Sequence, residues 1–239
     1  MDTQTRHALK KDSFAQATAS SMSWVSGHRS GVLHWAIAAA AALVLVAGAF
    51  IYYDMQSTAA DTALGAALDI YDAPLAQPGG PVETGTYATA AERSKTANQQ
   101  FMAVAKQYGW LPEGAKAHYF AGITDQELGQ TAAAETELKA AAGAGWGLGG
   151  RNLSNLAKLA LAGLYHDTGR DAQAINLYYD LAAKPSETVS ANVAKLDLAD
   201  LYAATGKQDQ ARALWAKVKD ADKDGAAGSI AAQKLTPKQ

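Results

Sequence analysis

From Gly31 to Tyr53 the chain reads GVLHWAIAAAAALVLVAGAFIYY, about 23 residues without a formal charge. That run fixes one element before anything else is read. At about 1.5 Å per residue, a helix of this length covers a hydrocarbon core of about 30 Å. The sequence predicts one transmembrane helix over 31–53. Trp35 near one end, and Tyr52 with Tyr53 at the other, put amphipathic rings where headgroups lie. Arg6, Lys10, Lys11 and Arg29 precede the run; after it the first basic residue is Arg93, and the near flank holds Asp54, Asp61, Asp69 and Asp72. The positive-inside rule therefore puts the N-terminus in the cytoplasm and the rest of the chain outside it. A cleaved secretory signal competes, with Ala47-Gly48-Ala49 or Thr58-Ala59-Ala60 as small-residue cleavage sites. The long stretch before the apolar core and the length of that core favour an uncleaved anchor.

The remaining composition points to helices. Alanine accounts for 55 residues while aromatics are only 8%, which favours closely packed helices over sheets. With no cysteine, a disulfide framework, a thiolate metal site, a cysteine nucleophile and a lipoprotein anchor are all excluded. A net charge of -2 supplies no global field for nucleic acid. Residues 57–73 continue as a helix, with Ala60, Leu64, Ala67, Leu68 and Tyr71 at helical spacing, until Pro74, Pro78, Gly79, Gly80 and Pro81 break it. A further helix over 89–108 places Phe101, Val104 and Ala105 on one face and ends at Gly109 and Pro112.

From residue 115 the chain repeats. Gly122, Ala162 and Ala199 are followed seven residues later by Gly129, Gly169 and Gly206, then by Ala134, Ala174 and Ala211, then by Leu138, Tyr178 and Trp215. Tyr165 and Tyr202 share a position that Asp125 occupies in the first copy, and Pro185 closes the second. This register resembles the tetratricopeptide repeat. The resemblance implies three helical hairpins over 115–220, in an all-α, right-handed solenoid with a concave face, preceded by a diverged hairpin within 54–114. Residues 1–30 would be a cytoplasmic leader and 221–239 a C-terminal tail. In each hairpin the small residue admits close helix approach, the glycine takes a left-handed turn, and the later alanine and large residue fill the seam.

Several signals look chemical. Gly145-Trp146-Gly147-Leu148-Gly149-Gly150 matches G-x-G-x-x-G, but it follows a helix instead of a strand and reads as a connector. Asp220, Asp222, Asp224 and Gly225 copy the first half of a calcium loop, yet position 12 is Ala231, so the reading is a solvated turn ending a helix. His7, His28, His34, His118 and His166 form no ligand pair, and Ser154 and Ser190 lack a nucleophile elbow. No catalytic residue, metal or cofactor is expected, and no small-molecule substrate.

A short leader, one span and an extracytoplasmic helical repeat domain together resemble the ancillary subunit family of the SecYEG translocon. That resemblance implies an inner-membrane protein whose partners are translocon subunits, envelope chaperones or client polypeptides. Another envelope assembly, in cell division, pilus or outer-membrane biogenesis, is the alternative. By tetratricopeptide register the groove would carry Tyr119, Ile123, Gln126, Leu159, Gly163, His166, Leu196 and Asp200. The Lys and Asn clamp for acidic C-termini is missing, since Tyr119, Leu159 and Leu196 stand there; apolar or extended segments are the expected ligands.

Overall fold

The computed structural model describes residues 29–77, 83–144 and 150–236. The chain divides into two compact units, Met1–Met55 and Gln56–Gln239. Among the described residues the structure is all helical, with one isolated bridge between Leu75 and Tyr87.

Helix α1 runs Arg29–Tyr71. In the first unit it is long and apolar enough to cross a membrane, and no side chain of its apolar window is buried. Leu33, Trp35, Leu43, Val46 and Phe50 are all exposed. A helix buried in a soluble core would show the reverse. His34 is exposed on it as well.

The second unit begins with the end of α1 and continues through α2 (Ala90–Tyr108), α3 (Pro112–Glu127), α4 (Thr131–Gly143), α5 (Gly150–Asp167), α6 (Asp171–Ala183), α7 (Ala191–Ala204), α8 (Gln208–Ala221) and α9 (Ala226–Leu235). The helix starts are written locally. Thr89, expected inside α2, is its cap and accepts the Glu92 N–H at 3.1 Å; Ser190 accepts the Val193 N–H at 3.2 Å. Pro112, read from the sequence as the end of α2, instead opens α3, where its missing N–H has no partner to lose. Leu75 and Tyr87 pin together the ends of the loop between α1 and α2: Ala76 N–H donates to Tyr87 O at 2.8 Å, and Tyr87 N–H to Pro74 O at 3.1 Å.

One turn recurs. Gly129, Gly169 and Gly206 lie between the paired helices with φ of +71°, +72° and +79°. The residue after each glycine donates its N–H to the carbonyl five residues back: Gln130 to Asp125, Arg170 to Tyr165, Lys207 to Tyr202, at 2.7–2.8 Å. This closes the last helical carbonyls as a Schellman-type cap, and the left-handed glycine makes it cheap.

The buried side chains carry the repeat further than the glycines do. Ala134–Leu138–Ala141, Ala174–Tyr178–Leu181 and Ala211–Trp215–Val218 are buried in α4, α6 and α8, and Ala97–Phe101–Val104 is buried in α2 at the same spacing. On the other helix of each pair, Ala117–Ala121, Ala157–Leu161–Leu164 and Ala194–Leu198–Leu201 are matched by Ala60–Leu64–Ala67 at the end of α1. The segment 221–239, which the sequence marks only as a tail, contains α9; its buried Ala231 stands 37 positions after Ala194. Each helix from α2 onward packs on its neighbours in sequence, with next-nearest contacts between α3 and α5 and between α7 and α9. Gly122 shows why a small residue is needed: a Cβ there would lie 2.7 Å from Leu138 Cγ.

Two cores result. Ala60, Leu64, Ala67, Phe101 and Val104 gather with Phe120, whose ring stacks on Phe101 at 5.2 Å. A larger cluster runs from Leu138 through Tyr165, Tyr178 and Leu198 to Ala231.

Candidate functional site

The residues the sequence assigns to a groove recur at i, i+4 and i+7 on two helices, Tyr119, Ile123 and Gln126 on α3 and Leu159, Gly163 and His166 on α5, and at i and i+4 on a third, Leu196 and Asp200 on α7. Positions spaced in this way share one face of a helix. Tyr119, Ile123 and Leu159 are half-buried and pack on the larger core, and Leu196 is buried within it. Tyr119 meets Phe120 edge-on at 5.3 Å, and burial raises its phenol pKa. Gln126 is half-buried.

Two polar members of this face, Asp200 and His166, are engaged within the protein. Asp200 accepts the Trp215 Nε1–H at 2.9 Å and a Lys234 Nζ–H at 2.8 Å, so it ties α7 to α8 and α9. His166 Nδ1 lies 2.7 Å from Asp171 Oδ1 across the α5–α6 turn. The Asp200 contacts span 15 and 34 residues, so they follow from tertiary packing and have no local sequence signal. His118 is turned to the paired helix, with Nδ1 2.6 Å from Glu137 Oε2.

Beside Asp200, helical spacing predicts a neighbour at Asp197, which the sequence reading passes over. Burial, and then the charge of Asp200, raise the Asp197 pKa to about 6. Tyr178, on α6, is raised to about 12 by burial and then by Asp197, Asp167 and Asp200. Carboxylates on both α5 and α7 thus oppose ionisation of this one phenol.

The tyrosine position explains the departure in the first copy. Tyr165 O–H reaches back to Glu135 Oε1 at 3.2 Å, and its ring lies 4.4 Å from the Arg170 guanidinium. Tyr202 meets Tyr179 of the preceding helix at 2.9 Å and carries Lys207 over its ring at 5.4 Å. Asp125 also reaches back, accepting an Asn98 Nδ2–H of α2 at 2.8 Å. Asn98 donates as well to Ala121 O and Thr124 Oγ1, so α2 docks by an amide in place of a ring.

The other chemical signals resolve differently. Asp222 Oδ2 accepts the Gly228 N–H at 3.0 Å and so caps α9. A Cβ on Gly228 would fall on the Asp222 backbone, which ties the glycine to that cap. Among the described residues no three His, Asp or Glu side chains are grouped to hold a metal ion. The glycine fingerprint lies outside the described residues except for Gly150, the first residue of α5; His7, His28 and the leader up to residue 28 also lie outside them, while Arg29 and Ser30 belong to α1. A cavity of about 470 Å³ between the α2–α3 turn and α4 is walled by Trp110, Leu111, Pro112, Ala115, Ala140 and Gly143 among others. Among the described residues its wall holds no titratable side chain.

No protein-family model matches the chain, and no curated protein or solved structure resembles it closely enough to be matched.

Proposed function

We propose that this chain is a membrane-anchored interaction module of tetratricopeptide type, held by one N-in span, with its helical repeats on the extracytoplasmic side. The observation that carries the reading is the hairpin turn repeated at Gly129, Gly169 and Gly206, each φ positive and each followed by the same buried small and large residues. Stacked hairpins of this kind present one continuous face made from equivalent positions, a geometry suited to polypeptide ligands. The exposed apolar half of α1 supports the anchor, and tethering raises the effective concentration of the repeats at the membrane.

The partners would be translocon subunits, envelope chaperones or client polypeptides, with function exercised by binding and not by catalysis. The test is photo-crosslinking in native membranes from Tyr119, Leu159 and Gln126, with parallel probes at the exposed Lys217 and Arg212 of α8. Adducts specific to the first set, identified as translocon subunits or nascent envelope proteins, are the expected result. Adducts confined to one stable envelope complex would move the assignment to a structural scaffold; none from that face would remove it as the working surface. Topology is tested separately, since the chain contains no cysteine. A single thiol introduced at Lys217 should react with a membrane-impermeant maleimide from outside the cell.

A further inference from the structure

The first hairpins of the second unit have two ends of different chemistry. Tyr71 at the close of α1 and Ser94 near the start of α2 both donate a hydroxyl to the Glu127 carboxylate at the close of α3. Arg170, just after α5, reaches Glu135 near the start of α4 at 2.6 Å. These bonds gather the close of α1, α3 and α5 and the start of α2 and α4 at one end. The other end then holds Gln56, where the unit begins, with the α2–α3 turn, the close of α4 and the start of α5. The last two meet through the Ser154 hydroxyl, which donates to Ala142 O at 2.6 Å.

Charge is divided between these ends. Residues 64–77, 83–99, 120–137 and 159–170, at the first end, carry nine carboxylates, Asp69, Asp72 and Glu92 among them, against Arg93, Lys95 and Arg170. Residues 56–63, 100–119, 138–144 and 150–158, at the Gln56 end, carry Asp61 and Glu113 against Lys106, Lys116, Lys139, Arg151 and Lys158. Glu113 is buried and lies 3.7 Å from Lys116. Lys106 and Arg151 are exposed and stand in no ion pair among the described residues. Met102 shares the outer face of α2 with Lys106, four residues on, and is 39% exposed; Trp110, in the turn that follows, is 57% exposed.

Tryptophan beside unpaired cations suits the headgroup layer of a bilayer, where the ring takes the boundary and the cations meet anionic lipid. Chain length brings such a layer close. Gln56 follows Tyr53 by three residues, a reach of about 10 Å even if fully extended. From Gln56 to Tyr71, at the acidic end, α1 runs on for about 22 Å. An anionic surface attracts the first end and repels the second.

We propose that the Gln56 end of the repeats, through Met102, Lys106, Trp110 and Arg151, docks on the headgroups of anionic lipid. This rests on the membrane-anchored reading above and adds a second lipid contact, made by the repeats themselves.

The test uses the full chain in vesicles of phosphatidylcholine, alone or with about 30% phosphatidylglycerol. The chain has no cysteine, so a single introduced thiol carries an NBD fluorophore: Met102→Cys at this end, Gln130→Cys in the exposed turn at the acidic end, or Val44→Cys in the span. In anionic vesicles a nitroxide on the lipid headgroup should quench the label at 102 and spare the one at 130. Phosphatidylcholine alone should leave both unquenched. The double variant Lys106→Glu, Arg151→Glu should lower the docked fraction about fivefold for each cation removed; neither cation has an ion pair to lose, and an unchanged melting temperature would check the fold. No quenching at 102, equal quenching at 102 and 130, or quenching at 102 that is indifferent to anionic lipid would overturn this inference. The anchor would still stand if a nitroxide on the acyl chain quenches the label at 44. No quenching at 44 would overturn the anchored reading and this inference with it.

Discussion

The first and third hairpins obey one spacing with different chemistry. In α7–α8 the residue three after the small one is Tyr202, whose hydroxyl reaches Tyr179 and whose ring takes the Lys207 cation. In α3–α4 it is Asp125, nearly buried, its pKa raised by burial against the opposing hydrogen bond from Asn98. Both side chains reach back to the preceding helix. The register thus fixes where a contact is made, while the neighbour decides what makes it: a half-exposed tyrosine in one case, an amide on α2 in the other.

That comparison can be strained most at the seam. Leu138 and Trp215 hold the same register position in the two hairpins and are both buried. Leu138→Ala should lower unfolding stability in urea by about 2–5 kcal/mol and Trp215→Ala by about 3–5 kcal/mol. Trp215 also gives up its hydrogen bond to Asp200. A reversed order would mean that the two seams are not filled in the same way.

The turns should respond alike. Gly129→Ala, Gly169→Ala and Gly206→Ala each place a Cβ on a left-handed residue, for about 1–2 kcal/mol. No neighbouring atom lies within 4 Å of any of these Cβ positions, so the loss is conformational and nearly equal in all three hairpins. Unequal shifts in the urea midpoint would break the equivalence of the copies.

The smallest effect separates the hairpins by pH. The folded pKa of Asp197, about 6, exceeds the ordinary carboxylate value. Between those two values the folded state holds more protons than the unfolded state, so this group's contribution is fully present below about pH 4 and is lost as pH rises through 6. Asp197→Asn should therefore gain on the wild type by roughly 1 kcal/mol at pH 7.5, after allowance for solvent screening, and show no such gain at pH 4. Melting both proteins at the two pH values measures it. Glu135 has the opposite sign: the hydrogen bonds from Lys139, then Arg170, help lower its pKa to about 2, so its contribution is lost only in strong acid.

Much of the second unit was legible because glycine and alanine punctuate it. Gly122 is small because Leu138 presses on it, and Gly129, Gly169 and Gly206 mark turns that other residues would strain. The hairpin formed by the end of α1 and α2 was less legible. Ala60, Leu64 and Ala67 keep the spacing, but the loop that follows replaces the short glycine turn that reveals the other copies. Helix α9 was hidden for a related reason: its buried residues are only Ala227, Gly228 and Ala231, and its cap is supplied by Asp222, six residues before the N–H it receives. On the candidate face, helical spacing gave the positions of Tyr119 and Leu159 only as a pattern; the bonds of Asp200 to Trp215 and Lys234 span 15 and 34 residues and exist only once the helices are packed.

Packing by sequence neighbours from α2 onward also governs how the second unit comes apart. An interior hairpin is clamped on two sides, and among the described residues α9 packs on α8 and α7. Thermal or mechanical loss should therefore proceed one hairpin at a time and not in a single step, since each hairpin depends mainly on the ones beside it.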